Sequence, residues 1–203
     1  MKKANVFFFL LFVTVSSFGQ AEEAENYVGW GYSSHLKEKY TEAMSDYNKA
    51  ISLDANCTMA YYYRGSLKGD LGDYRGAMAD FSKAISLSPD SHLAYSKRGD
   101  SKRVMGDYKG AIADYTKSVL LRPDIADTYY GRGISKGNLK NYAGAIADLT
   151  KAISLDPNDA NTYFARGLFN AILGKKNSAC LDYSKAGELG NEQAYEYIRE
   201  NCK

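Results

Sequence analysis

The stretch GDYRGAMADFSKAISLSPD, Gly72 to Asp90, returns 34 residues later as GDYKGAIADYTKSVLLRPD, Gly106 to Asp124. A chain that repeats itself at this interval is built from one small unit used many times, because each unit exposes an apolar face that only the next copy covers. Registers of 34 fill residues 24–57, 58–91, 92–125, 126–159 and 160–193. No stretch of comparable length is left over for a separate catalytic domain.

The columns of this alignment state what one unit is. Gly31, Gly65, Gly99, Gly133 and Gly167 share one column, and Ala43, Ala77, Ala111, Ala145 and Ala179 share another. A Tyr column (Tyr27, Tyr61, Tyr95, Tyr129, Tyr163) precedes each Gly by four, and a second (Tyr40, Tyr74, Tyr108, Tyr142) precedes each Ala by three. In the second half of a register Met78, Phe81, Ala84, Ile85 and Ser88 recur at helical spacing. Asp73 and Asp107 cap that helix, and Pro89, Pro123 and Pro157 stop it. The first half, as in MAYYYRGSLKGDL, is equally helix-compatible, so each register reads as helix, tight turn, helix. A glycine inside a helix costs up to about 1 kcal/mol against alanine, and a cost repeated in every register points to packing. The expectation is that the Gly and Ala columns face each other where the paired helices cross, with Tyr rings on either side.

These columns resemble the tetratricopeptide repeat family: the 34-residue period, the Gly and Ala columns, the Tyr before the second helix and the closing Pro all match. The first register departs with Ala55 in place of Pro, and the fifth with Lys176 and Asn191 in place of Tyr and Pro. The ending, residues 194–203, looks like the family's capping helix. The resemblance implies an all-α, right-handed α-solenoid of stacked helix-turn-helix repeats, with first helices lining an inner wall that holds peptides or partner helices.

Arg64, Arg98, Arg132 and Arg166 occupy the column before Gly, where many family members have Leu, and Asp80, Asp114, Asp148 and Asp182 lie sixteen residues on. Guanidinium and carboxylate pair well in a bidentate geometry. They are read as ion pairs within a repeat, the rival being an arginine row that faces a ligand carboxylate.

The amino end has a different character. Lys2 and Lys3, the apolar run Val6 to Val15, and Ser17 and Gly19 before Gln20 form the layout of a secretory signal peptide, residues 1–19. An uncleaved anchor is the alternative, but the run falls short of the roughly 20 residues that span a bilayer. Residues 20–23 would then be a short tail, and no stable membrane span would remain. Localisation is expected to be exported, periplasmic or secreted; the leader and ending resemble exported repeat proteins of Gram-negative bacteria. Without Lys2 and Lys3 the 26 basic residues fall to 24 against 24 acidic ones. That balance gives no reason to expect nucleic acid, whose binders carry a net basic face.

Only His35 and His92 are present, neither in a zinc-binding pattern, and no P-loop, dinucleotide-binding glycine pattern or calcium loop occurs. No catalytic residue, metal, cofactor or small-molecule substrate is expected. Arg98-Gly99-Asp100 follows from the repeat's own Arg-Gly, and Asn56-Cys57-Thr58 fits a glycosylation acceptor. Cys180 and Cys202 fall on helices that the fold would place side by side, either bridged to pin the cap or left as two buried thiols; α-carbons more than about 7 Å apart exclude the bridge.

The positions one and five after each first-column Tyr are Val28 and Tyr32, Tyr62 and Ser66, Ser96 and Asp100, Tyr130 and Ile134, and Phe164 and Leu168. This wall is apolar at both ends and polar midway, with Arg103 near Asp100. It lacks the Lys, Arg and Asn with which co-chaperone members clamp a terminal carboxylate. The expected partner is a protein or peptide with apolar or aromatic side chains, held by Val28, Tyr32, Tyr62, Asp100, Arg103, Tyr130, Ile134, Phe164 and Leu168. An exported scaffold or adaptor is the leading function; an architectural component of an envelope assembly, with no groove ligand, is the alternative.

Overall fold

The computed structural model describes residues 4–202, with side chains from residue 19 to residue 202. Among the described residues there are eleven helices and no strand, which makes the fold class an all-α repeat solenoid. The chain forms two compact units, Met1–Asp90 and Ser91–Lys203. The first holds α1 (Ala4–Leu36), α2 (Tyr40–Leu53), α3 (Thr58–Asp70) and α4 (Tyr74–Leu87). The second holds α5 (His92–Val104), α6 (Tyr108–Leu121), α7 (Ala126–Asn138), α8 (Tyr142–Leu155), α9 (Ala160–Ile172), α10 (Lys176–Glu188) and α11 (Glu192–Asn201). Within each unit consecutive helices pack as pairs, and first helices also touch the next first helix.

The helix boundaries follow from the punctuation. Asp73, Asp107 and Asn141 accept hydrogen bonds from the backbone N–H groups of Gly76, Gly110 and Gly144 at 2.9 to 3.0 Å, which caps α4, α6 and α8. The turn inside each pair needs one residue with left-handed backbone. Gly72 and Gly106 supply it at φ 81° and 80°, while Glu38 and Lys140 adopt it in the same column at φ 58° and 63°. α1 runs through Gly19 without a break, so the expected end of the leader falls inside a helix; the leader's side chains lie outside the described residues. No helix among the described residues is long and apolar enough to cross a membrane.

The close approach of paired helices differs from the expected Gly-to-Ala contact. Each Gly lies under the side chain of a third column, Tyr47, Phe81, Tyr115, Leu149 and Tyr183, four residues after the Ala. A Cβ added at Gly31 or Gly167 would stand 2.6 or 2.7 Å from a ring carbon of Tyr47 or Tyr183, and at Gly99 it would stand 3.0 Å from Tyr115. The Ala column comes second, as the 3.2 Å approach of the Ala145 carbonyl at Gly133 shows. Rings, being wider than methyl groups, claim the missing Cβ, and Ala43, Ala77, Ala111, Ala145 and Ala179 are buried beside them.

The carboxyl end closes the second unit. Ala194, Tyr197, Ile198 and Cys202 join Ala179, Tyr183 and Ala186 in one apolar cluster. Tyr197 stands 34 residues after Tyr163, so the repeat's Tyr column continues into α11. Cys180 and Cys202 form a disulfide with α-carbons 5.7 Å apart. By limiting the unfolded chain over a separation of 22 residues, such a link stabilises by about 3 kcal/mol.

Gly99→Leu is expected to cost more than the roughly 1–3 kcal/mol usual for overpacking, because the added carbons must enter the space of the Tyr115 ring. Chemical denaturation measures it, and an unchanged midpoint would contradict the packing described.

Candidate partner-binding site

The first helices carry two kinds of polar side chain, and the structure separates them. The arginines are used internally. Arg64 donates from Nε and Nη2 to the two oxygens of Asp80 at 2.9 and 2.7 Å, and from Nη1 to Asn48 on α2 at 2.7 Å. Arg98–Asp114, Arg132–Asp148 and Arg166–Asp182 repeat the paired bonds at 2.6 to 3.0 Å. Arg132 and Arg166 also reach back to Thr116 and Thr150 of the preceding second helices. Each guanidinium lies over the Tyr three residues before it, 5.4 to 5.7 Å from the ring centre. Asp80 is 5% exposed, so its charge is tolerable only because these partners replace water. The arginine row therefore holds repeats together, and its donors are turned to protein groups.

Sequence reading missed a third member of this network. Lys68, Lys102 and Lys136 place their ammonium groups 2.7 to 2.8 Å from the second oxygen of the same aspartates, and Asn170 takes that role on Asp182 at 3.1 Å. The signal was present, since these residues recur one helical turn after each Arg. The first register lacks the motif: Trp30 stands in the arginine column, and burial, with Glu42 adding to it, raises the pKa of Asp46.

In the first unit the positions chosen for a partner divide by exposure. Val28 is 8% exposed and packs with Ala24, Ala50, Cys57 and Ala60, so it belongs to the core and only its edge reaches the wall. Tyr32 is 44% exposed, with its ring 5.1 Å from that of Tyr63. Tyr62 is half-buried between Tyr63 and Phe81. A groove of about 470 Å³ opens beside Val28 and Tyr32.

In the second unit the polar residues Asp100 and Arg103 have an internal anchor. Tyr115 of α6 is fully buried, yet its hydroxyl donates to Asp100 at 2.7 Å and accepts from Arg103 Nε at 3.4 Å. Gly131 of α7 leaves the room for it, since a Cβ there would stand 2.7 Å from that hydroxyl. Burial and the Asp100 charge raise the Tyr115 pKa well above the usual phenol range. Tyr130 and Ile134 are half-buried, and burial raises the Tyr130 phenol with Asp159 adding and Arg103 opposing. Phe164 and Leu168 are half-buried in the cluster under α11, where Phe164 packs on Tyr183 and Tyr197. Among the described residues no group of three His, Cys, Asp or Glu side chains is placed to hold a metal ion.

Models of the tetratricopeptide repeat match residues 24–57, 60–91 and 126–159. The chain belongs to the tetratricopeptide repeat family. Residues 92–125 and 160–193 carry the same helix pair and the same arginine–aspartate bond. No curated protein matches the sequence. Among solved structures, MamA from Desulfovibrio magneticus RS-1 is similar at 23% identity, covering 82% of this chain and 94% of its own, with a TM-score of 0.76. YrrB, described as a tetratricopeptide repeat protein with an unusual peptide-binding site, is 19% identical over 88% of this chain and 93% of its own, with a TM-score of 0.75. PilF of Pseudomonas aeruginosa is 15% identical over 86% and 79%, with a TM-score of 0.78. At these identities the likeness is one of fold. Tetratricopeptide repeat proteins are generally non-catalytic scaffolds that bind protein or peptide partners, and the fold is of that interaction-scaffold type.

The ring column separates two kinds of buried hydroxyl, which gives a direct test. Those of Tyr47 and Tyr183 are buried without a hydrogen-bond partner among the described residues, and Phe81 fills the same column with no hydroxyl at all. Removing an unpaired buried hydroxyl should relieve a cost, so Tyr183→Phe is expected to stabilise by about 1 kcal/mol, whereas Tyr115→Phe is expected to destabilise by about 1–2 kcal/mol by leaving Asp100 short of its donor. Denaturant midpoints of the two variants moving the same way would contradict this assignment.

Alkaline titration supplies a second test. Burial pushes the Tyr183 phenol up to about 12, and the nearby Tyr197 and Asp182 push the same way. A folded-state pKa above the unfolded value contributes stability that is complete below the unfolded pKa of 10.0 and is lost as pH rises through about 12. Phenolate absorbance should therefore rise in an early phase from exposed tyrosines and in a late phase that coincides with loss of helical circular dichroism. A single phase near the usual phenol pKa, with helix retained, would count against it.

Proposed function

We propose that the chain is an exported scaffold or adaptor that binds a partner segment on its first helices, and that it has no catalytic role. The observation that carries this is a division of labour within those helices. Arginine and lysine donors are drawn to the aspartates of the second helices, while Tyr32 and Met59 of the first unit stand 44 and 47% exposed and Leu93 of the second 45%. Exposed large apolar side chains on the first helices favour a protein or peptide ligand. The peptide-binding site ascribed to YrrB supports the reading by analogy of fold. Export rests on the leader, Lys2, Lys3 and the apolar run before Gly19.

The wall residues are unequal. Tyr32, Tyr62, Tyr130 and Ile134 are the contact surface, Asp100 and Arg103 are polar contacts held in place by Tyr115, and Val28, Phe164 and Leu168 shape the wall from beneath. The experiment is a peptide-array screen with the chain and with the double variant Tyr32→Ser/Tyr130→Ser. Loss of capture by at least about tenfold, with the thermal transition still cooperative, is the expected result. Undiminished capture, or assembly into an envelope complex that is indifferent to both substitutions, would favour the architectural alternative.

A further inference from the structure

The groove in the first unit has a chemical bias that the wall as a whole lacks. It opens between α1, α3 and the turn that joins α2 to α3, and its 470 Å³ lies within the roughly 300–1,000 Å³ of ligand sites. Val28 and Tyr63 form the apolar floor, and Tyr32 and Met59, 44 and 47% exposed, form the sides. Gly29 also lines it, and a Cβ added there would meet nothing within 4 Å. Among the described residues that line it, Glu25 and Asp54 are the charged ones. Burial raises the Cys57 thiol pKa; hydrogen bonds with the Ala60 and Met59 backbone oppose it, and the Asp54 and Glu25 charges add to it. Two like charges converging on an apolar cleft set a negative potential there, and low-dielectric walls strengthen it.

We propose that this groove selects a peptide segment in which a lysine or arginine lies beside a bulky apolar side chain. The apolar group covers the Val28–Tyr63 floor between Tyr32 and Met59, and the cation answers Glu25 and Asp54. An acidic segment of the same shape meets repulsion from both carboxylates, and a neutral one leaves them without a counter-charge. This names the ligand class for the wall-binding reading above and rests on it.

The test titrates the chain with three capped peptides that differ only at the centre of an apolar core: Leu-Lys-Phe, Leu-Gln-Phe and Leu-Glu-Phe. Calorimetry gives the affinity, and the Met59 methyl resonance reports occupancy of the groove. The lysine peptide is expected to shift Met59 and to bind about fivefold more tightly than the glutamine peptide, with the glutamate peptide weakest. The advantage should shrink as salt is raised. Glu25→Gln, at an exposed position, should remove most of it, while Glu196→Gln on α11 should leave it unchanged. Equal affinity of all three peptides with Met59 shifted would overturn the charge selection and leave wall binding standing. Binding that leaves Met59 unmoved but is lost in Tyr130→Ser would place the ligand elsewhere on the wall and overturn this groove. Failure of every peptide to bind would overturn both readings.

Discussion

A buried carboxylate that water cannot reach must be paired, and this requirement organises the molecule. Asp80, Asp114, Asp148 and Asp182 sit inside the helix pairs at 4 to 6% exposure. Each is answered by an arginine from the first helix of its own repeat, and three of the four also by a lysine one turn on. Because Arg64, Arg132 and Arg166 use their remaining nitrogen on a second helix of the preceding repeat, the same bond that closes a repeat also orients it against its neighbour. Directional bonds of this kind fix register more strictly than apolar contact does, since a shifted helix would strand a charge.

The rest of the packing fits around these bonds. The residue after each aspartate is the ring or Leu149 that enters the space above the glycine, so ion pair and ring contact come from adjacent positions on one helix. Tyr115 adds a third link by carrying a hydroxyl through the core to Asp100 and Arg103. The consequence for function is geometrical. With charge and bulk committed between the paired helices, Tyr32 and Met59 of the first unit stay 44 and 47% exposed, and Tyr130 and Ile134 of the second stay half-buried.

Much of this was legible before any coordinates. The 34-residue period, the helix pair, the cap residues and the Arg-to-Asp spacing of sixteen are properties of columns whose members share one chemistry. Less legible was the ring column, because Tyr47, Phe81, Tyr115, Leu149 and Tyr183 share volume but not polarity, and alignment by residue type passes over it. The lysines were missed for a different reason: a flexible ammonium one turn after an arginine reads as solvated surface until a buried carboxylate is seen between them. Periodicity alone places Val28 on the wall, while its neighbours Ala24 and Cys57 draw it into the core. The groove could not be read at all, since it depends on where the α2–α3 turn falls beside α1.

The most direct measurement is a double-mutant cycle at Arg132 and Asp148, using Arg132→Met, Asp148→Asn and the pair, with unfolding free energy as the readout. If the buried bond holds the repeats in register, each single substitution costs about 2–4 kcal/mol, the double costs far less than the sum, and the coupling is at least about 2 kcal/mol. Additive effects, with coupling near zero, would mean that apolar stacking alone sets the fold and that the arginine column is free for another use.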